Sequence, residues 1–528
     1  MKNPKLTYSY IVSLIFLMAS AGCQNFLEEK PRSFFEPGAT MDTPEGAEAF
    51  VNGIYHSLTV SKNAFYREFP TTMGMLGTDI QRAKQNAIYL SLDSYTATSD
   101  HPILLQQWTG LYETIKAANV VLEKIDESRV EADQRENFKA QALVLRAYCY
   151  FMLVRFWGDV PLVIEPVEQL DMEKSSVSAI YEQIEDDLNS AIESGGLPYK
   201  YLGADIGRLT LGAAKMMLAK VYMTMAGWPL NLDKSTYYPK AKELLMDLKN
   251  NTAYGYGLNE KYGDSFNLYK KHTKEYIWDA EFSDLDISNR LTALWAQTLG
   301  VNAGGPVHRG NNSIAGIGWT RPDTTLYRLY SGEEDLRFVW NIADFRMWGP
   351  LASPTTKPLA WPANPKSPDW EFLGSMKYRF TVDPWDFKSN YPLTMWQSTP
   401  MNFPIYRFAD VLLMLAEIDN ELNDGPAQLA LDCINAIRDR ARGAADDGAT
   451  PKFTRIHAGD YDKEGFFNLV IDERARELCF EGHRWFDLTR TGLLISKLAE
   501  HRKINLAEDQ IYYSIPQADV NINPNLGN

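Results

Sequence analysis

The sequence predicts an all-α protein, a solenoid of antiparallel helix hairpins with a long, loop-rich, aromatic middle insertion. Three observations carry this expectation. Apolar residues recur at helical spacing in one segment after another, the segments come in pairs joined by polar connections, and a Gly- and Pro-rich stretch of little helical period separates two such groups.

Leu111, Ile115, Ala118, Leu122 and Ile125 recur at spacings of 4 and 3, one face of a helix of period 3.6. Phe138, Ala142, Leu145, Cys149 and Met152 repeat that face, and the polar run Asp126 to Arg135 between them makes the two a helix hairpin. Ile180, Ile184, Leu188 and Ala191, then Leu211, Ala214, Leu218, Val221 and Met225, form a second pair around the Gly195-Gly196 break, and residues 236–250 add a further helix. The pattern returns with Phe408, Val411, Leu415, Ile418 and Leu422, ending near Asp424-Gly425-Pro426. Ala430, Ile434, Ile437 and Ala441 follow, then Phe467, Ile471, Ala475 and Leu478. Faces of this kind are buried only by stacking on neighbours, so helical pairs at about 105–250 and 405–495 predict a tetratricopeptide-like solenoid, with an irregular helical bundle as the alternative on pattern alone. The insertion spans about 251–405, and seven of the thirteen tryptophans fall within residues 301–400. Long irregular segments inside ordered proteins are usually functional.

Composition narrows the function. A chain of 528 residues, 45% hydrophobic and 23% charged, has enough apolar material for a sizeable core. A net charge of -15 argues against nucleic acid as a partner, because a phosphate backbone needs a basic face. The four cysteines are too scattered for a disulfide framework or a zinc site, and Cys149, Cys433 and Cys479 are expected as small buried apolar residues.

At the N-terminus, Lys2 and Lys5 precede an apolar stretch, Tyr8 to Met18, too short to span a bilayer, which reads as a secretion signal over residues 1–22. Ala19-Ser20-Ala21 suits an ordinary signal peptidase, whereas Ser20-Ala21-Gly22-Cys23 resembles a bacterial lipobox that leaves Cys23 acylated, the preferred reading. Residues 23–40 then form a flexible lipid-anchored leader and 41–528 a single domain. No other segment reaches about 18 consecutive apolar residues, so membrane attachment is expected through the lipid only.

Several motifs name a family. The leader Cys23-Gln24-Asn25-Phe26-Leu27-Glu28-Glu29-Lys30-Pro31, the stretch Leu145-Arg146-Ala147-Tyr148 running to Arg155-Phe156-Trp157-Gly158-Asp159-Val160-Pro161-Leu162, and Tyr406-Arg407-Phe408-Ala409-Asp410 through Glu417 resemble, in order, the SusD/RagB family of outer-membrane nutrient-binding lipoproteins. Ile471-Asp472-Glu473-Arg474-Ala475-Arg476-Glu477-Leu478, Glu481-Gly482-His483-Arg484-Trp485-Phe486-Asp487-Leu488 and the terminal Ile515-Pro516-Gln517 continue the resemblance. It implies a SusD-like fold and an outer-membrane lipoprotein facing the cell exterior. In that family the protein acts as a hinged lid on a SusC-like TonB-dependent transporter and delivers an oligosaccharide or polysaccharide for import, with no catalytic residue, cofactor or metal of its own.

The motifs themselves read as structural. Glu473 and Glu477, with Arg474, Arg476 and Arg484 within reach, are expected to pair and fix helix packing, and His483 to be a packed residue. A sugar platform needs flat rings for C–H faces and polar groups for hydroxyls. The insertion supplies Trp295, Asn302, His308, Arg309, Asn311 and Asn312, with Trp348 and Trp361 flanking a Pro-rich loop. The resemblance adds the loops after the first helices, where Tyr66, Asp79 and Tyr95 are candidates, and it points to Trp319 and Lys377-Tyr378 as packed rather than binding. Competing readings are the same machinery serving peptide uptake, a glycoside hydrolase with two carboxylates across a cleft, and a helical scaffold binding only proteins.

Overall fold

The structure, a computed structural model, describes residues 41–282, 401–442 and 455–527 except 60, 85, 167–170 and 268. Within 283–400 it describes 301–302, 315–316, 319–330, 335–343, 345–347, 358–360, 373–375 and 377–378. The signal segment, Cys23 and the leader lie outside the described residues.

Every apolar stretch expected to be helical is a helix, and a long helix and two short ones precede them. Helix α1 (Pro44–Thr59) buries Ala47, Val51, Ile54 and Leu58. The expected ones are α2 (Pro102–Lys124), α3 (Ala132–Trp157), α4 (Val177–Glu193), α5 (Leu211–Met225) and α6 (Lys234–Asn250). Beyond the insertion come α7 (Phe408–Leu422), α8 (Gln428–Arg442) and α9 (Lys463–Leu478), followed by the short α10 (Arg484–Arg490). Local chemistry sets several starts: Ser176, Thr210, Asp233 and Asp462 each accept a hydrogen bond from a first-turn N–H of α4, α5, α6 and α9. Helix α3 begins at Ala132, inside the expected connection, and is buried on nearly every side from Phe138 to Trp157. A helix apolar all round belongs in the interior, and α1, α2 and α4 pack around it. It stops before Gly158, whose φ is 73°, and the Trp157 indole donates to the Ser514 carbonyl at 3.2 Å.

Consecutive helices stack from α2 to α6, and α6 then packs on α7. The chain therefore leaves the stack after Asn250 and re-enters at the next position with Phe408. Two short strands close this excursion: β2 (Tyr276–Ala280) pairs antiparallel with β4 (Phe403–Arg407), aligning Ala280 with Phe403 and Tyr276 with Arg407. A second pair, β1 (Gln81–Ala83) with β3 (Thr320–Pro322), fastens the insertion to the segment between α1 and α2. The described part of the insertion is more ordered than its sequence suggests. It holds helices at Thr324–Tyr330 and Arg337–Asn341 and places Tyr330, Arg337, Asn341 and Lys377 in the core. Helices of about two turns or fewer are too short for periodicity to reveal.

Helix α9 is the hub of a buried charge array. Glu473 meets Arg337 at 2.6 Å, Arg476 at 3.0 Å and Arg438 at 3.2 Å, while Glu477 pairs with Arg337 at 3.0 Å, Arg407 at 3.1 Å and Arg440. Glu275 and Glu481 join from neighbouring segments, and Lys377 donates to the Glu477 and Cys479 carbonyls at 2.9 Å. The structural role expected for these residues holds, but the partners differ. Of the three arginines expected nearby, only Arg476 joins Glu473. Arg474 instead bridges Asp410 and Asp487, both at 2.8 Å, and Arg484 clasps Asp79. Cys149, Cys433 and Cys479 are buried free thiols, and burial pushes Cys433 up to about 12 and Cys479 to about 11.

Candidate functional site

Two faces can be built from the described residues. The first is the junction of the insertion with residues 80–95. Along β1 and β3 the Lys84 amide donates to the Trp319 carbonyl at 2.7 Å, the Asp323 amide donates to the Ile80 carbonyl at 2.7 Å, and Arg82 forms an ion pair with Asp323. Asn86 accepts from the Ile88 amide at 3.0 Å and starts a helix at Ala87–Asp93. This seats Tyr89 edge-on to Trp319, with ring centroids 5.4 Å apart, and leaves Leu90 43% exposed. Trp319 is partly buried against the core, as expected of a packed residue.

The junction corrects three expected ligand contacts. Tyr66 and Asp79 are each only 1% exposed. The Tyr66 hydroxyl bonds to that of Tyr148, and both Asp79 oxygens accept from Arg484, at 2.9 and 2.7 Å. Tyr95 spends its hydroxyl on the Gly77 carbonyl at 2.7 Å and on the Trp485 indole, which donates to it at 3.1 Å. These side chains hold the loop and leave no polar atom for a ligand. The other candidates are not brought together by described geometry. Asn302 lies on the two-residue strand Val301–Asn302, paired with Ala315–Gly316, and its side chain is outside the described residues. Trp295, His308, Arg309, Asn311, Asn312, Trp348 and Trp361 are wholly outside them.

The second face is a groove of about 390 Å³ between residues 199–210, 254–256 and the strand-forming segment 272–279, within the ~300–1,000 Å³ typical of ligand pockets. Tyr254 and Tyr256 stack with rings 5.4 Å apart and 6° from parallel, and Tyr199 meets Tyr254 edge-on at 4.9 Å. Tyr254 is anchored by its hydrogen bond to Asp247 at 2.8 Å. Tyr256 lies so close to α5 that a Cβ on Gly212 would stand 2.4 Å from its hydroxyl. Tyr199, Leu202 and Ile206 are 44, 81 and 42% exposed on the rim. The sequence signal for this groove was present as two short motifs, Tyr199-Lys200-Tyr201 and Tyr254-Gly255-Tyr256-Gly257, but nothing local says that they face each other.

Beside the groove, which His272 and Asp279 line, His272, Asp279 and Glu281 bring one donor atom each within 4.8 Å of one another, the one grouping with metal-ligand chemistry among the described residues. Two observations weaken it as a cation site. Asp279 already accepts from the Asn402 amide at 2.8 Å, and burial, reinforced by Asp279, pushes the Glu281 carboxyl up to about 9, so that it is protonated at neutral pH. Elsewhere, burial with Lys220 nearby pushes His483 down to about 4, leaving a neutral packed imidazole rather than a ligand. Among the described residues no helix is long and apolar enough to cross a membrane.

With this geometry in hand, comparison with known proteins is informative. Residues 25–223 match the sequence family described as "Starch-binding associating with outer membrane", and residues 360–528 match the SusD family. The chain is 26% identical to SusD-like protein P25 of Formosa agariphila, over 97% of both chains. Its fold resembles that of a SusD homolog from Bacteroides thetaiotaomicron, with TM-score 0.78 and 23% identity, covering 93% of this chain and 97% of the other. It also resembles surface glycan-binding protein A of the same organism, solved with laminarihexaose, with TM-score 0.69 and 21% identity over 90% and 97% of the two chains.

Proposed function

Because the chain belongs to the SusD/RagB family, we propose that it is a cell-surface lipoprotein that binds glycans without cleaving them. It captures oligosaccharides and hands them to a SusC-like TonB-dependent outer-membrane transporter, for which it acts as the lid. The lipid on Cys23 holds it to the outer membrane, and the leader is the tether that lets the lid open.

The observation that carries this reading is the strand pairing of β1 with β3. It fixes the aromatic insertion to the loop after the first helix and sets Trp319 on Tyr89 at their seam. An aromatic-rich segment anchored to a rigid scaffold suits sugar rings, whose C–H faces stack and whose hydroxyls need fixed polar partners. The candidates Trp295, Asn302, His308, Arg309, Asn311, Asn312, Trp348 and Trp361 precede and follow that seam in sequence. The relatives described as starch- or glycan-binding support a carbohydrate ligand.

A glycan array on the purified chain tests the reading. Oligosaccharide binding without release of shorter products is the expected result. Retention of peptides and of no glycan would move the reading to peptide uptake, and turnover of a polysaccharide would replace it with a hydrolase. For the anchor, Cys23→Ala is expected to release the protein from the membrane fraction with glycan affinity unchanged.

A further inference from the structure

The tyrosine groove lies on other elements than the β1–β3 seam, and its polar groups have an uneven charge. Gly255 has φ +69°, and a Cβ there would stand 2.3 Å from the Lys200 Nζ, so the Lys200 ammonium lies directly over that residue. Two residues on, a Cβ at Gly257 would meet the Lys274 side chain at Cδ, 3.7 Å away. The two lysine side chains thus lie against the residues that precede and follow Tyr256. Both are exposed, and neither forms a salt bridge within 4.0 Å among the described residues. Arg208, also on the groove wall, pairs with Glu48 at 2.7 Å and with Asp205 at 2.8 Å, yet its buried Nη1 has no acceptor. On a chain of net charge -15, Lys200 and Lys274 are two exposed cations without a salt bridge, beside the exposed ring of Tyr199.

We propose that this groove is a second saccharide site, and that it takes a sugar bearing a carboxylate. The ring stacks on Tyr199 and Tyr256, and the carboxylate sits between Lys200 and Lys274 within reach of the idle Arg208 Nη1. Charge-assisted bonds of this kind are shorter and stronger than neutral ones. An unpaired buried guanidinium nitrogen is costly until an acceptor arrives. Asp279, which also lines the groove, accepts from the Asn402 amide at 2.8 Å. The proposal stands on this groove alone and does not depend on which glycan the β1–β3 face takes.

Calorimetry on the full mature chain tests it, using trimers of galacturonate, guluronate, mannuronate and glucuronate beside neutral trisaccharides. At least one uronate trimer is expected to bind at the groove at least tenfold more tightly than its neutral counterpart, and to weaken at least tenfold in the double variant Lys200→Ala/Lys274→Ala. High salt should weaken it similarly. Tyr199→Ala should reduce binding as well, and Trp319→Ala should leave it unchanged. All three groove positions are exposed, so these variants are expected to fold. The proposal is overturned if no uronate trimer binds, if the double variant keeps full affinity, if neutral trimers bind equally well, or if Trp319→Ala alone abolishes uronate binding.

Discussion

The helices before the insertion and those after it are held together by different forces. From α1 to α6 the contacts are apolar faces stacked in sequence order, with Ile180, Ile184, Leu188 and Ala191 of α4 all buried and one deep ion pair, Arg146–Asp187, set among them. From β4 to α10 the interior carries charge at every turn: Glu473, Arg474, Arg476 and Glu477 are consecutive or near neighbours on α9, and all are buried. Apolar stacking is non-directional and accepts any neighbour of the right shape. Buried ion pairs are directional, and losing one partner strands the other. The difference explains why the insertion can return to the stack at a defined place. Its anchors Arg337, Lys377 and Arg407 bond directly to Glu473 or Glu477 of α9, and Glu275 joins them through Arg407 and Arg440.

The sharpest way to break this contrast is Glu477→Ala, which leaves Arg337, Arg407 and Arg440 short of an acceptor. Stranding buried charge costs about 3–5 kcal/mol, so urea unfolding should show a large loss of stability or no cooperative fold. A loss below about 1 kcal/mol would mean that the array is not what locks the second region.

Acid should separate the regions next. Burial, with Lys220, holds His483 near 4, below its ordinary 6.5, so the unfolded chain takes up that proton first and stability falls as pH drops from about 6.5 to 4, by up to about 3 kcal/mol. Asp487 continues the trend. Burial alone would raise its carboxyl, but Arg474 and Arg490 outweigh that and hold it at about 2, so its contribution is lost as pH falls from about 4 towards 2. Hydrogen exchange should therefore show α9 and α10 opening in acid before α3, and His483→Gln should flatten the upper window. Simultaneous opening of both regions would contradict the contrast.

Smaller effects calibrate the first region. Ile184→Val removes one buried methyl from α4 and should cost ~0.5–1.5 kcal/mol in urea unfolding. Lys139→Ala removes the exposed pair with Asp126 and should change stability by under about 1 kcal/mol. A larger cost at Lys139 would show that charge matters before the insertion too.

Legibility in the sequence followed the same division. All eight helices expected from apolar spacing are present, because a face of period 3.6 is a property of a dozen adjacent residues. The packed roles expected for Trp319, Lys377, Tyr378 and His483 also hold. Tyr66 and Asp79 are core residues rather than ligand contacts, and the partly buried Tyr95 has its hydroxyl taken by Gly77 and Trp485. An aromatic or acid in a loop looks the same in sequence whether it faces solvent or a partner such as Arg484, 405 residues away. The groove at Tyr199 and Tyr256 went unread for that reason too.

The sequence by itself determined the helical solenoid, the place where it is interrupted and the family to which it belongs, since each rests on spacing and motifs read along the chain. Tertiary structure alone decided which charges pair on α9, which aromatic residues are spent in the core, and that Lys200 and Lys274 meet the residues next to Tyr256. Those facts depend on segments far apart in the chain meeting in space. Burial turns such meetings into strong interactions by removing the water that would otherwise compete for every polar atom.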